Sequence, residues 1–104
     1  MKEFEKNGKI YTRERDVNRK PNGHLSGTAL RMNKAIYNLI NHTNIELAEA
    51  VKTATVNPAR LLGVYNKKGS IETGKDADLT VIDEDINIYM TLVEGEIKFK
   101  KSFN

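Results

Sequence analysis

The chain has 104 residues, about one domain, with 38% hydrophobic and 7% aromatic residues, no tryptophan and a formal net charge of +3. It has no cysteine, which excludes disulfide frameworks, thiolate metal sites and cysteine nucleophiles and fits a cytoplasmic setting. Its apolar runs are too short to cross a bilayer, and Met1-Lys2-Glu3-Phe4-Glu5 lacks the apolar stretch of a secretory leader, so no membrane partner is expected.

Residues 1–24 read as a polar arm. A short strand is expected at Lys9-Ile10-Tyr11-Thr12 after the turn signal Asn7-Gly8, and Arg19-Lys20-Pro21-Asn22-Gly23 marks a tight turn. Residues 1–34 carry nine Lys/Arg and four Asp/Glu, against eight and ten in residues 35–104. Such a basic arm can meet phosphate-rich partners. Arg13-Glu14-Arg15-Asp16 interleaves the two signs, however, and no base-stacking motif or helix-turn-helix pattern is present, so no nucleic-acid partner is expected. The arm is too poor in apolar residues to fold alone and should lie on other structure.

Residues 25–63 read as helical. Met32, Ala35, Ile36, Leu39 and Ile40 recur at the spacing of one buried helix face, with Ser26 or Thr28 placed to cap its start. Thr43 and Glu46 have capping-box spacing ahead of the apolar stripe Leu47, Ala50, Val51 and Ala54. Asn57-Pro58 predicts the start of a short third helix, and Gly63 its end. Residues 64–104 read as strands, with β-rich segments at Leu79–Ile82 and 86–93 and a turn at Glu94-Gly95 into Ile97-Lys98-Phe99. This order gives an α+β chain.

Few residues carry an obvious chemistry. His24 and His42 are the only histidines, and neither has a second ligand at helical or hairpin spacing, so no metal site is expected. His42 falls in a polar connection between helices and reads as a surface or cap residue. Asp83-Glu84-Asp85 lacks the alternating oxygen ligands of a calcium loop and reads as a solvated turn. Arg60 suits either a ligand clamp or the C-terminal dipole of its short helix. Asn22-Gly23-His24-Leu25-Ser26-Gly27-Thr28 is the segment best suited to ligand contact, because two glycines let a bound group approach the backbone closely; a plain loop is the alternative.

Two stretches together resemble the C-terminal part of a metal-dependent amidohydrolase. They are Ala54-Thr55-Val56-Asn57-Pro58-Ala59-Arg60-Leu61-Leu62-Gly63 and Lys68-Gly69-Ser70-Ile71-Glu72-Thr73-Gly74-Lys75-Asp76-Ala77-Asp78-Leu79-Thr80-Val81-Ile82-Asp83. Within that superfamily, Asn22-Gly23-His24-Leu25-Ser26-Gly27-Thr28-Ala29-Leu30-Arg31-Met32 is similar to a segment of the N-acetylglucosamine-6-phosphate deacetylases. Thr28 stands where serine is common.

The resemblance implies an α+β fragment, with residues 25–63 as terminal helices of a (β/α)8 barrel and residues 64–104 as C-terminal strands of a small β-sandwich. It implies cytoplasmic hydrolysis of N-acetylglucosamine 6-phosphate to glucosamine 6-phosphate and acetate by the parent protein. A divalent metal, zinc or iron, would be held by Glu and His residues upstream of this segment, and an upstream Asp would handle protons. Leu25, Ser26 and Gly27 match the segment that touches the sugar phosphate. No catalytic residue and no metal ligand is expected in these 104 residues, so the isolated chain should be inactive. The helix face Met32-Ile36-Leu39-Ile40 would lack its barrel partner, which predicts self-association or altered packing. Two alternatives share these features: the tail of another amidohydrolase such as a deaminase or cyclic amidase, and a free-standing basic α+β module that binds phosphate-bearing partners.

Overall fold

The computed structural model describes residues 2–102, which form two compact units, one ending at Arg31 and one starting at Met32. The first is a four-stranded antiparallel meander of β1 (Lys2–Lys6), β2 (Lys9–Glu14), β3 (Val17–Arg19) and β4 (Leu25–Thr28), in that spatial order. Asn7 and Gly8, at φ 53° and 77°, make the two-residue turn between β1 and β2; both central positions of such a turn need the left-handed region, which Asn and Gly tolerate.

Register then sorts the side chains. Lys2, Phe4 and Lys6 share a face with Lys9, Tyr11 and Arg13, while Glu3 and Glu5 share the opposite face with Ile10, Thr12 and Glu14. Charges that alternate along the chain are therefore separated by face, and Phe4 stacks on Tyr11 across the strands with ring centroids 5.5 Å apart.

The arm thus ends in a sheet, and the strand at its C-terminal side corrects the expectation that residues 25–63 are helical throughout. Leu25–Thr28 pairs with β3. Gly27 at φ 86° cannot continue a right-handed helix. Neither Ser26 nor Thr28 caps the following helix. The Thr28 hydroxyl donates to the Asp16 carbonyl (3.0 Å) and accepts from the Leu30 N–H (2.9 Å), fastening the exit of β4 to the β2–β3 turn.

The second unit contains α1 (Met32–Thr43), α2 (Leu47–Lys52), α3 (Val56–Leu61) and an antiparallel sheet of β5 (Leu79–Ile82), β6 (Ile88–Val93) and β7 (Glu96–Lys100). Its core is Ile36, Ala50 and Ile86, flanked by Leu39, Ile40, Ile45, Ala54 and Ile82. The apolar face of α1 is therefore largely satisfied within the unit, against the expectation of an unpartnered face; of its residues Met32 remains exposed.

Local hydrogen bonds decide the helix boundaries. The Thr43–Glu46 capping box does not form, because the Thr43 hydroxyl donates back to the Leu39 carbonyl at 2.6 Å and Glu46 makes no side-chain cap. Helix α3 starts before Asn57-Pro58, with Thr55 as N-cap, and Pro58 falls in the first turn where its missing N–H is harmless. The helix ends as expected at Gly63 (φ 75°). There the N–H of Gly63 donates to Arg60 (3.2 Å) and that of Val64 to Ala59 (2.9 Å), a Schellman closure. Residues 64–78 are turns and bends, not strand, and the three strands follow from Leu79 onward.

Candidate functional site

The ligand-contact segment lies on β4, at the open edge of the first sheet. Its approach is a turn built by Asn22 and Gly23. Gly23, at φ 86°, donates its N–H to the Lys20 carbonyl (2.9 Å), and the Asn22 side chain accepts from the His24 N–H (3.0 Å). Arg19 donates to the Gly23 carbonyl at 3.0 Å, so the turn is held from β3 as well.

Beyond the turn, Arg19 pairs with Leu25 and Val17 with Thr28. Two residues of β4, Ser26 and Gly27, therefore oppose the single residue Asn18, which is a β-bulge with glycine in the left-handed position. A Cβ on Gly27 would meet nothing within 4 Å, so the bulge leaves its backbone open to an approaching group. Leu25 is exposed and Ser26 half-buried. The expected contact residues thus lie on one bulged strand and not at a helix N-terminus, with Leu25 and Gly27 exposed.

The second signature is explained by packing in the second unit. Gly69, at φ 98°, passes so close to α3 that an added Cβ would lie 2.6 Å from Ala59 Cβ and 3.1 Å from the Thr55 carbonyl oxygen. The Asn57-Pro58-Ala59-Arg60 helix and the Lys68-Gly69-Ser70-Ile71 turn are two sides of one contact.

Lys68 bridges Asp76 (3.1 Å) and Asp78, and Asp78 also accepts the Glu94 N–H at 2.9 Å, tying this turn to the β6–β7 hairpin. The hydrogen bond from Lys68, then that from Glu94, holds the Asp78 carboxyl below its ordinary range, and the two aspartates raise Lys68. Tyr65 lies under both Arg60 (4.7 Å from the ring centre) and Lys75 (3.5 Å), and Lys75 bonds the Ser70 hydroxyl and Glu72. Arg60 is therefore engaged with an aromatic ring. Asp83-Glu84-Asp85 is a turn closed by Asp83, whose carboxylate accepts the N–H groups of Asp85 and Asn87, both at 2.9 Å.

Sequence reasoning missed the Lys68–Asp76–Asp78 bridge. The bridge was foreshadowed by the alternating Asp76 and Asp78, which share a side in extended chain.

The residues present do not fit a metal centre: among the described residues no three His, Cys, Asp or Glu side chains converge. His24 is in the β3–β4 turn and His42 in the last turn of α1. Among the same residues no helix is long and apolar enough to cross a membrane.

The Amidohydrolase family model matches residues 6–98, and the chain belongs to that family, whose members are metal-dependent hydrolases. It is 34% identical over 77 residues to the N-acetylglucosamine-6-phosphate deacetylase of Bacillus subtilis (strain 168), a match covering 74% of this chain and 19% of that protein. It is 32% identical over 81 residues to a putative N-acetylgalactosamine-6-phosphate deacetylase of Escherichia coli (strain K12), covering 78% of this chain and 48% of the relative. The crystal structure of N-acetylglucosamine-6-phosphate deacetylase from Pasteurella multocida superposes with a TM-score of 0.81 and 35% identity, over 94% of this chain and 26% of that one. The chain thus spans less than half of the length of each of these relatives.

Proposed function

We propose that this chain is the C-terminal part of a deacetylase that hydrolyses N-acetylglucosamine 6-phosphate to glucosamine 6-phosphate and acetate in the cytoplasm. On this reading α1, α2 and α3 close a (β/α)8 barrel, and β5, β6 and β7 belong to a small sandwich domain. Leu25, Ser26 and Gly27 form a wall of the sugar-phosphate pocket. The metal, zinc or iron, and its ligands belong to parts of the enzyme outside these residues. The parent assembles as a homo-oligomer.

One observation carries the reading: the match to the Pasteurella multocida deacetylase covers 94% of this chain at 35% identity. The test is acetate release by the full-length protein that contains this chain, with the 104-residue chain alone as control. Activity on N-acetylglucosamine 6-phosphate that a chelator abolishes, with none from the control, is the expected result. Hydrolysis of a pyrimidine amide or a purine amine in its place would assign the tail to a different amidohydrolase.

The Escherichia coli relative supports a second reading in which the substrate is the galactosamine epimer. The ratio of kcat/KM for the two hexosamine phosphates separates them.

A further inference from the structure

Arg19 stands beside the ligand-contact strand with its charge unanswered. It lies in β3 directly opposite Leu25, and residues directly opposite in an antiparallel pair turn their side chains to one face. Leu25 is 65% exposed, so that face is open to solvent at this point. The guanidinium is fixed there by its own bond, with Nη1 donating to the Gly23 carbonyl (3.0 Å) at the entry to β4.

That bond holds the side chain without neutralising it, because a carbonyl oxygen takes one N–H and carries no net charge. Among the described residues no carboxylate forms an ion pair with Arg19. The cations of the other signature differ in this respect: Lys68 and Lys75 both meet carboxylates. A half-buried guanidinium tied at one corner keeps the rest of its planar donor fork free. Such a fork grips a phosphate through parallel N–H···O bonds.

We propose that Arg19 is a substrate-binding residue that pairs with the phosphate group of the hexosamine phosphate held along Leu25–Gly27. The bond to Gly23 orders the guanidinium beforehand, so little side-chain freedom is lost when the phosphate arrives. The inference rests on the reading of Leu25, Ser26 and Gly27 as a pocket wall and adds a residue outside the signature segment, which begins at Asn22. The phosphate takes no part in breaking the amide, so the pair is present in the ground state and the transition state alike. It sets affinity and not turnover.

The experiment is steady-state kinetics on the full-length protein with N-acetylglucosamine 6-phosphate as substrate and N-acetylglucosamine, which lacks the phosphate, as competitive inhibitor. Arg19→Met raises KM for the phosphate ester about ten- to a hundredfold with kcat within about twofold, the loss of one charge-assisted contact. The inhibition constant of N-acetylglucosamine stays within about twofold of wild type, because that sugar never met the guanidinium. Arg19→Lys, which keeps the charge but not the fork, gives a KM between those of wild type and Arg19→Met. An unchanged KM in Arg19→Met overturns the inference, because the phosphate is then held elsewhere. So does equal weakening of the phosphorylated and unphosphorylated sugars, which would reduce Arg19 to a brace for the Gly23 turn. If the wild-type protein hydrolyses no hexosamine phosphate, the pocket reading itself fails and the inference falls with it.

Discussion

Gly69 and Ile86 show how single residues hold the second unit in its shape. Gly69 has a backbone angle of φ 98° and no room for a side chain, with Ala59 Cβ 2.6 Å from where its own would be. Gly69→Ala therefore combines left-handed strain with a clash against α3. We expect a loss of about 2–4 kcal/mol, read from the urea midpoint; Gly74→Ala, at φ 93° with open space around it, pays the strain alone and loses about 1 kcal/mol. Ile86 is the more unusual case, a β-branched residue at φ 61°. Burial of its side chain and the bond from the Asn33 side chain to its carbonyl (3.1 Å) hold it there. Truncation to alanine empties part of the Ile36–Ala50–Ile86 core and should cost about 2–4 kcal/mol in the same measurement.

At the level of elements, the turns on either side of β5 depend on ionised carboxylates. Asp78 is held below its ordinary range by Lys68 and the Glu94 N–H, Glu72 by Ser70 and Lys75, and Asp83 by the backbone and side chain of Asn87. A group whose folded pKa is depressed stabilises the fold above its unfolded pKa, about 4, and loses that contribution as pH falls through the folded value. The second unit should therefore lose stability below about pH 4, and Asp78→Asn should flatten that part of the Tm-versus-pH curve. Lys68 is raised and has the opposite sign: its contribution is complete below the ordinary lysine range and is lost on strong alkalinisation. Glu72 and Asp78 are exposed and Lys68 and Asp83 half-buried, so added salt should shrink the effect. An acid limb that Asp78→Asn leaves unaltered would show the bridge to be idle.

The same level shows which elements the sequence made legible. Asn7-Gly8, the apolar spacing of α1, Gly63 and the three C-terminal strands each rest on local chemistry, and each is where that chemistry places it. Strand β4 was not legible, because Leu25-Ser26-Gly27-Thr28 has no alternation and its pairing depends on β3, itself only three residues long. The bulge that leaves Gly27 exposed beside Ser26 is a matter of register, which no single segment encodes. The capping box failed for a different reason. Thr43 had a nearer acceptor, the carbonyl one turn behind it.

For the whole molecule, the three most exposed large apolar side chains among the described residues lie within the signatures. Leu61 and Leu62 at the end of α3 are 87% and 74% exposed, and Ile71 in the Lys68–Gly74 turn is 86% exposed. Exposure on this scale within motifs matched to a larger enzyme is what a segment separated from its neighbours would show. Sedimentation of the isolated chain should accordingly give concentration-dependent association, and Leu61→Ser with Ile71→Ser should reduce it. A strictly monomeric species at high concentration would contradict this.

The central claim is that these residues supply a pocket wall to a hexosamine-phosphate deacetylase whose bond-breaking groups lie in another part of the enzyme. The most direct test replaces the 77 matched residues of the Bacillus subtilis deacetylase with the corresponding segment of this chain and measures kcat/KM for N-acetylglucosamine 6-phosphate. The account predicts a folded, metal-loaded chimaera within about tenfold of the parent enzyme, because the grafted wall already fits the substrate. A chimaera that folds and holds its metal but has lost kcat/KM by a factor of about a thousand or more would contradict it.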